Sequence, residues 1–288
     1  MNRFDSPADA TQRLAAAGYL ADDHVAVTTY LADRLDKPIL CEGPAGVGKT
    51  ELAKAIASAT GHRLVRLQCY EGLDEAKTLY EWNYKKQLLR IQADSGELDW
   101  ERVEHDIFTE EFLLPRPLLT AISSPEPVVL LIDEVDRVEM ETEALLLEVL
   151  SDWQVSIPEL GTIETVSAPL VVLTSNNTRE LSEALKRRCL FLHMDYPDIE
   201  REQAIIRSRI PEIDAAFADQ IARVVSSIRA LDLKKAPSVS ETLDWARTLL
   251  LLGKDHVDED VTRETLSLLL KYQQDIEKVR DELVPGSH

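Results

Sequence analysis

Eight consecutive residues, Gly43-Pro44-Ala45-Gly46-Val47-Gly48-Lys49-Thr50, limit more than any others what this chain can fold into. They lie between a short apolar run, residues 38–42, and a helical pattern over 49–59. Three of the ten glycines fall within positions 43–48, more than a plain strand-to-helix turn requires. Such a stretch suits a loop whose backbone N–H groups turn inward, ahead of a helix whose N-terminus carries partial positive charge. The spacing G-x-x-x-x-G-K-[ST], with a strand before it and a helix after it, is that of a phosphate-binding loop. Lys49 is then placed to reach the β and γ phosphates of ATP, and Thr50 to offer its hydroxyl to Mg²⁺. The residues expected to hold the nucleotide are Gly43, Pro44, Ala45, Gly46, Val47, Gly48, Lys49, Thr50 and Glu51.

Five apolar runs read as buried parallel strands because they are continuous rather than alternating: 38–42, 63–68, 128–133, 170–175 and 190–194. Helical patterns between several of them, notably 49–59 and 139–152, predict a doubly wound α/β fold with a five-stranded sheet and ligands at the carboxyl ends of the strands. Two interruptions stand out. One is the long stretch 70–127, which contains Trp82 and Tyr84. The other is 153–166, where alternation around Glu159-Leu160-Gly161 predicts a hairpin. From about residue 197 the patterns are helical throughout. The expected organisation is a nucleotide-binding core at 1–196, with an insertion near 70–92 and a hairpin near 153–166. A helical lid follows at 197–282, and residues 283–288 form a tail that resembles a remnant of an expression tag.

The run Leu130-Leu131-Ile132-Asp133-Glu134 supplies a second half for the loop. Asp133 at a strand end points toward the Mg²⁺ that Thr50 would share. Glu134 is placed to take a proton from a water attacking the γ-phosphate, which favours hydrolysis over transfer to a small molecule. Asp136 reads as solvated or remote from the metal. Asn176, at the end of the fourth run, is a candidate for orienting that water, and a turn asparagine is an even alternative. Lys186, Arg187 and Arg188 then precede the fifth run. Basic residues often complement a helix C-terminus. Following Asn176, however, Arg188 suits an arginine finger given to a neighbouring subunit's γ-phosphate, with Arg187 a close rival.

Acidic residues outnumber basic ones 52 to 32, a formal net charge of −20. A nucleic-acid binder needs a basic face to displace counterions, so DNA and RNA are disfavoured as partners. Cys41, Cys69 and Cys189 form no C-x-x-C pair and read as buried reduced thiols. The six histidines show no ligand spacing, so no resident metal site is assigned. No run approaches the roughly 18 apolar residues of a membrane span, and the first ten residues lack the apolar stretch of a signal peptide. The expectation is a cytoplasmic protein.

With these residues in hand, the chain resembles an AAA+ ATPase, and more narrowly the MoxR family, over roughly residues 15–280. The resemblance rests on Gly43–Thr50, on Leu130–Asp136, on Leu173–Asn177 and on Ala184–Phe191, in that order, followed by a helical region. The insertion around Trp82 and the hairpin at 153–166 match the same family. The resemblance implies a homo-oligomeric ring, usually of six subunits, with ATP at the subunit interfaces, Asn176 as sensor 1 and Arg188 as the finger. It also implies chaperone-like remodelling of a protein client, commonly with a von Willebrand factor A domain partner. Residues 68–89 and 234–249 further resemble the branch linked to maturation of molybdenum hydroxylases such as carbon monoxide dehydrogenase. One departure matters: Ser240 stands where many such lids carry a sensor 2 arginine, and Lys234, Lys235 and Arg247 are wrongly spaced to replace it. Tyr19 reads equally as an adenine-pocket residue and as a core tyrosine. Trp82 and Tyr84 read more readily as packing than as a surface for a client or a pore.

Three functions are open at this point. The leading one is Mg²⁺-dependent ATP hydrolysis that drives remodelling of a client. The second is a slow, nucleotide-gated binding switch, favoured by the missing arginine and disfavoured by Glu134, Asn176 and Arg188. The third, a clamp-loader or helicase-like DNA motor, clashes with the charge.

Overall fold

The central strands form where continuous apolar runs are covered on both faces. The computed structural model describes residues 3–93 and 107–283, so the expected tail falls outside the described residues from 284 onward. In chain order the strands are β1 (Ile39–Glu42), β2 (Arg63–Gln68), β3 (Tyr80–Trp82), β4 (Leu113–Pro115), β5 (Val128–Asp133), β6 (Gln154–Ile157), β7 (Gly161–Glu164), β8 (Leu170–Ser175) and β9 (Leu190–His193). Five of them make one sheet in the order β2-β5-β8-β1-β9, every pairing parallel. This is the P-loop α/β architecture that the runs predict.

Every residue of β5 and β8 is buried, as continuous apolar runs require. The edge strands differ from the expectation of continuous burial. In β2 the exposed residues are Arg63, Arg66 and Gln68, alternating at its end with buried Val65 and Leu67. In β9 Phe191 and His193 are exposed around buried Leu192. An edge strand has a neighbour on one side only, and covering elements need not reach across both of its faces.

By internal packing the chain divides into two units, Met1–Glu42 with Lys49–His193, and Gly43–Gly48 with Met194–His288. In the first unit, Leu130, Ile132, Val171 and Leu173 join Leu118, Ile122, Leu146 and Val149 in one core cluster. The helix Lys49–Thr60 packs on β5. Near the chain start, Asp33 is buried and accepts from the Arg3 side chain at 3.0 Å and from the Phe4 N–H at 3.0 Å. The 153–166 segment forms the antiparallel hairpin β6–β7, with Gln154 opposite Glu164 and Val155 and Ile157 in the core. Between β2 and β5, β3 pairs with β4. There Trp82 is buried, its ring edge-on to Phe108 at 5.0 Å, whereas Tyr84 is 61% exposed. Trp82 is therefore a packing residue, and Tyr84 is not.

The second unit is helical after Met194: Ile199–Arg209, Ala215–Arg229, Val239–Leu251, Glu259–Leu269 and Gln273–Leu283. Four of these helices start at a side-chain cap, in which Asp198, Asp214, Ser238 and Asp258 accept from first-turn N–H groups. Each such cap is worth about 1 kcal/mol. Their apolar faces meet around Trp245, which is fully buried with Phe217, Ile221, Val225 and Leu249. The Trp245 indole N–H donates to Thr265 Oγ1 at 2.7 Å, so the ring is buried without losing its polar handle. No helix among the described residues is long and apolar enough to cross a membrane.

Candidate functional site

The sheet order puts β8 between β5 and β1, so residues leaving the carboxyl ends of these strands become neighbours. Asp133 ends β5 and is buried. Its Oδ1 accepts from Thr50 Oγ1 at 3.0 Å and from Thr174 Oγ1 at 2.6 Å. Its Oδ2 accepts from the Arg66 guanidinium at 2.5 Å. Lys49 opens its helix with a buried side chain, and its Nζ donates to Asn176 Oδ1 at 2.9 Å. Burial pulls the Lys49 ammonium below its ordinary pKa, against the attraction of the Cys41 sulfur and the carboxylates of Asp136, Asp133 and Glu134. The sequence places Lys49, Thr50, Asp133, Glu134 and Asn176 in three separate segments; the fold brings them together.

Glu134 adopts the left-handed backbone conformation, φ 58° and ψ 48°, which costs a residue with a Cβ about 1–2 kcal/mol. Its N–H is fixed by Thr174 Oγ1 at 2.9 Å. Thr174 thus donates to one acid and accepts from the backbone of the next. The Glu134 carboxylate is one-third exposed; its Oε2 accepts from Arg137 at 3.1 Å and from Gln68 Nε2 at 3.3 Å. Asn177, just past the end of neighbouring β8, is also left-handed, with φ 56°. Strained positions of this kind gather where side chains must be aimed.

Asp136 corrects the solvated reading. It is buried, and its Oδ2 accepts from the Asn176 N–H at 3.2 Å, the Thr178 N–H at 2.9 Å and Thr178 Oγ1 at 2.6 Å. Burial opposes its ionisation, yet the hydrogen bonds from Thr178 and Asn176 hold its pKa below the ordinary value. It acts as the clasp of the turn that carries Asn176.

Arg188 ends the short helix Glu183–Arg188, and that helix is braced. Glu143, in the first turn of the helix Met140–Asp152, accepts from the Ser182 N–H at 2.8 Å and from Arg179 at 2.8 Å. Arg188 Nε donates to Ser151 Oγ at 2.5 Å, and its Nη1 to the Ala184 carbonyl at 3.1 Å. Arg188 therefore sits exposed at the surface and does not join the Asp133 cluster of its own chain. Arg187 is exposed too, paired with Glu183 at 2.8 Å. Glu51 turns to Lys54 at 2.7 Å. Tyr19 is buried just after the helix Pro7–Ala16, its N–H donating to the Leu14 carbonyl. Cys41 and Cys69 are buried and Cys189 half-buried, all three free; burial pushes each thiol up to about 12.

The loop Gly43–Gly48 packs with the helical unit. A Cβ at Gly43 would lie 1.9 Å from the Met194 carbonyl oxygen, so only glycine fits there. Gly46 has φ 77°, and a Cβ on it would lie 2.3 Å from Ser238 Cβ. The Gly46 carbonyl accepts from the Val239 N–H at 3.2 Å.

Sequence reasoning missed Arg66, Gln68, Thr174 and Thr178. The period-2 alternation at the end of β2 was the available signal for the first two, since it sets Arg66 and Gln68 on one face.

A family model described as an AAA domain of the dynein-related subfamily matches residues 38–189. Gas vesicle ATPase GvpN2 of Halobacterium salinarum is 24% identical over 260 residues, covering 86% of this chain and 73% of that protein. An uncharacterized protein of Staphylococcus haemolyticus is 26% identical over 226 residues, covering 76% of this chain and 78% of the relative. The RuvB Holliday junction branch migration motor of Thermotoga maritima superposes with a TM-score of 0.52 at 18% identity, covering 99% of this chain and 81% of that one. At that identity the likeness concerns the fold alone.

Proposed function

The chain belongs to the AAA domain family, dynein-related subfamily, and from that premise we infer that it hydrolyses ATP and uses the cycle to remodel a protein client. The observation that carries the reading is the joined set of Lys49, Thr50, Asp133, Glu134 and Asn176. Thr50 and Asp133 present two hard oxygens 3.0 Å apart, the donor chemistry that Mg²⁺ prefers. They would hold the ion, which supplies positive charge against the phosphate oxygens. Lys49 adds a charge held in place by the Asn176 amide. Glu134, one-third exposed, is open to water and can take its proton. A relative named as an ATPase supports the same reading.

Ring assembly is part of the proposal. Arg188 is exposed and held by Ser151 rather than by its own chain's Asp133 cluster, an arrangement suited to a neighbour's γ-phosphate. Arg188→Ala should keep ATP binding and lose turnover by at least about tenfold. Mixing it with Lys49→Ala subunits should restore part of the activity, because each variant supplies what the other lacks. Activity of mixed rings that stays at the sum of the two variants would remove Arg188 from a shared site.

The MoxR-like assignment, a hexameric ring, a lid role for the helices after residue 197, a von Willebrand factor A domain partner and a metalloenzyme client complete the reading. The β6–β7 hairpin ahead of β8 and the β3–β4 insertion support the first of these. A slow nucleotide-gated switch is the second reading, favoured by exposed Ser240 in place of an arginine. Steady-state ATPase activity, with and without a client, separates the two. The charge of −20 continues to count against a DNA motor.

A further inference from the structure

We propose that the N-terminus of the helix Val239–Leu251 positions the Gly46–Val47 peptide of the phosphate loop, through the Val239 N–H and the Ser238 side chain. The inference rests on the reading of Gly43–Thr50 as a phosphate loop and adds a positioning element to it. The Val239 N–H donates to the Gly46 carbonyl at 3.2 Å. All peptide bonds of the described residues are trans. In a planar trans peptide the C=O of one residue and the N–H of the next point in opposite directions. A Gly46 carbonyl held toward Val239 therefore turns the Val47 N–H the other way, toward the side of the loop where N–H groups must gather around phosphate. Without that anchor the peptide can flip, because a glycine on one side of it takes either sign of φ at little cost.

The Ser238 side chain fixes the same peptide sterically. Its Cβ lies where a Cβ on Gly46 would come to 2.3 Å, and its Cα where that atom would come to 3.5 Å. The close approach of the Ser238 side chain and a φ of 77° both favour glycine at 46.

The anchor is itself held from several directions. Ser238 caps its helix in a two-way box: its Oγ accepts from the Glu241 N–H at 3.2 Å, and its own N–H donates to Glu241 Oε2 at 2.8 Å. Thr242 Oγ1 donates to the Ser238 carbonyl at 3.1 Å, and Arg229 Nε to the Pro237 carbonyl at 2.8 Å. Upstream, the N–H groups of Lys234 and Lys235 donate to buried Asp275 at 2.9 and 3.2 Å. A segment tied at so many points does not give way when the loop moves. It sets the loop's conformation rather than following it.

The test uses full-length protein and ATP. Val239 is the first residue of its helix, a position where proline fits, and Ser238 before it already has the extended backbone that proline requires, φ −77° and ψ 165°. Val239→Pro deletes the N–H and sets a methylene against the Gly46 carbonyl while keeping the helix. It should bind ATP about tenfold more weakly than Val239→Ala, which loses the same side chain but keeps the N–H. Gly46→Ala should also weaken binding. Adding Ser238→Gly, which removes the obstructing Cβ and still caps a helix well, should recover at least about threefold of that loss. A role confined to helix stability would not yield this recovery.

Wild-type binding that Lys49→Ala abolishes is the reference. Given that reference, equal affinity of Val239→Pro and Val239→Ala, or no recovery in the double variant, overturns the inference and leaves the phosphate-loop reading standing. Failure of the wild type to bind ATP overturns both.

Discussion

A Glu134→Gln variant is expected to bind ATP as the wild type does and to turn it over about 10²-fold more slowly. Removing a positioned general base typically costs 10²–10⁴ in rate, and glutamine keeps the shape of the side chain while losing the acceptor for a proton. The substitution leaves the backbone arrangement alone, because the Glu134 N–H is held by Thr174 Oγ1 whatever the side chain. The left-handed conformation at φ 58° is likewise set by the turn into Val135–Arg137. The Gln68 amide and the Arg137 guanidinium can still donate to the amide oxygen that replaces Oε2. In the proposed site, binding rests on Lys49, Thr50 and the loop, none of which the change touches. Fluorescent-nucleotide titration and phosphate release measured on the same preparation separate the two effects. Turnover within twofold of wild type would take Glu134 out of the mechanism and leave the water to another base.

The second large effect concerns stability. Glu202 and Arg229 form a nearly fully buried pair in the helical unit, with side-chain exposures of 1% and 8%. The pairing is two-pronged: Nη1 meets Oε2, and Nη2 meets Oε1 at 2.9 Å. The guanidinium also lies over the Tyr196 ring at 4.6 Å and reaches Thr242 Oγ1 at 3.4 Å. Glu202→Ala leaves Arg229 charged and without its counter-ion, and breaking a buried pair in this way costs about 3–5 kcal/mol. Replacing both partners, as Glu202→Leu with Arg229→Met, removes the stranded charge and should recover a large part of that loss. Chemical denaturation followed by circular dichroism measures all three chains. A single variant within about 1 kcal/mol of wild type would show that water reaches the pair.

Much of this molecule can be read from the order of its residues, and what escapes has physical reasons. Strands β5 and β8 announce themselves because both faces are covered and no polar residue is tolerated before their ends. Strand β2 reads falsely as a buried run because its three apolar residues outweigh, by eye, an alternation that only an edge position makes meaningful. Asp133 and Glu134 stand out by chemistry. Their partners do not, since Gln68 comes opposite Asp133 only through the parallel register of β2 with β5. The same holds for Asp136, whose partners lie 40 and 42 positions away and whose burial no local pattern betrays. At the start of the helix Val239–Leu251 stands Ser238-x-x-Glu241. That cap signature is legible in the sequence, but its second use against Gly46 depends on tertiary packing.

The grouping of Gly43–Gly48 with residues from Met194 onward has a practical bearing on fragments of this protein. Cutting the chain before Met194 yields a contiguous piece that looks like a separable module but lacks six residues of its own packing. The Val239 N–H and the face of Ser238 that meets Gly46 would then be left to solvent. The opposite half, expressed alone, would carry those six residues without the surface that shapes them. The boundary suggested by composition is thus a poor place to divide the gene, and an insertion tag or a split reporter placed there tests the packing of Gly43–Gly48 as much as the junction itself.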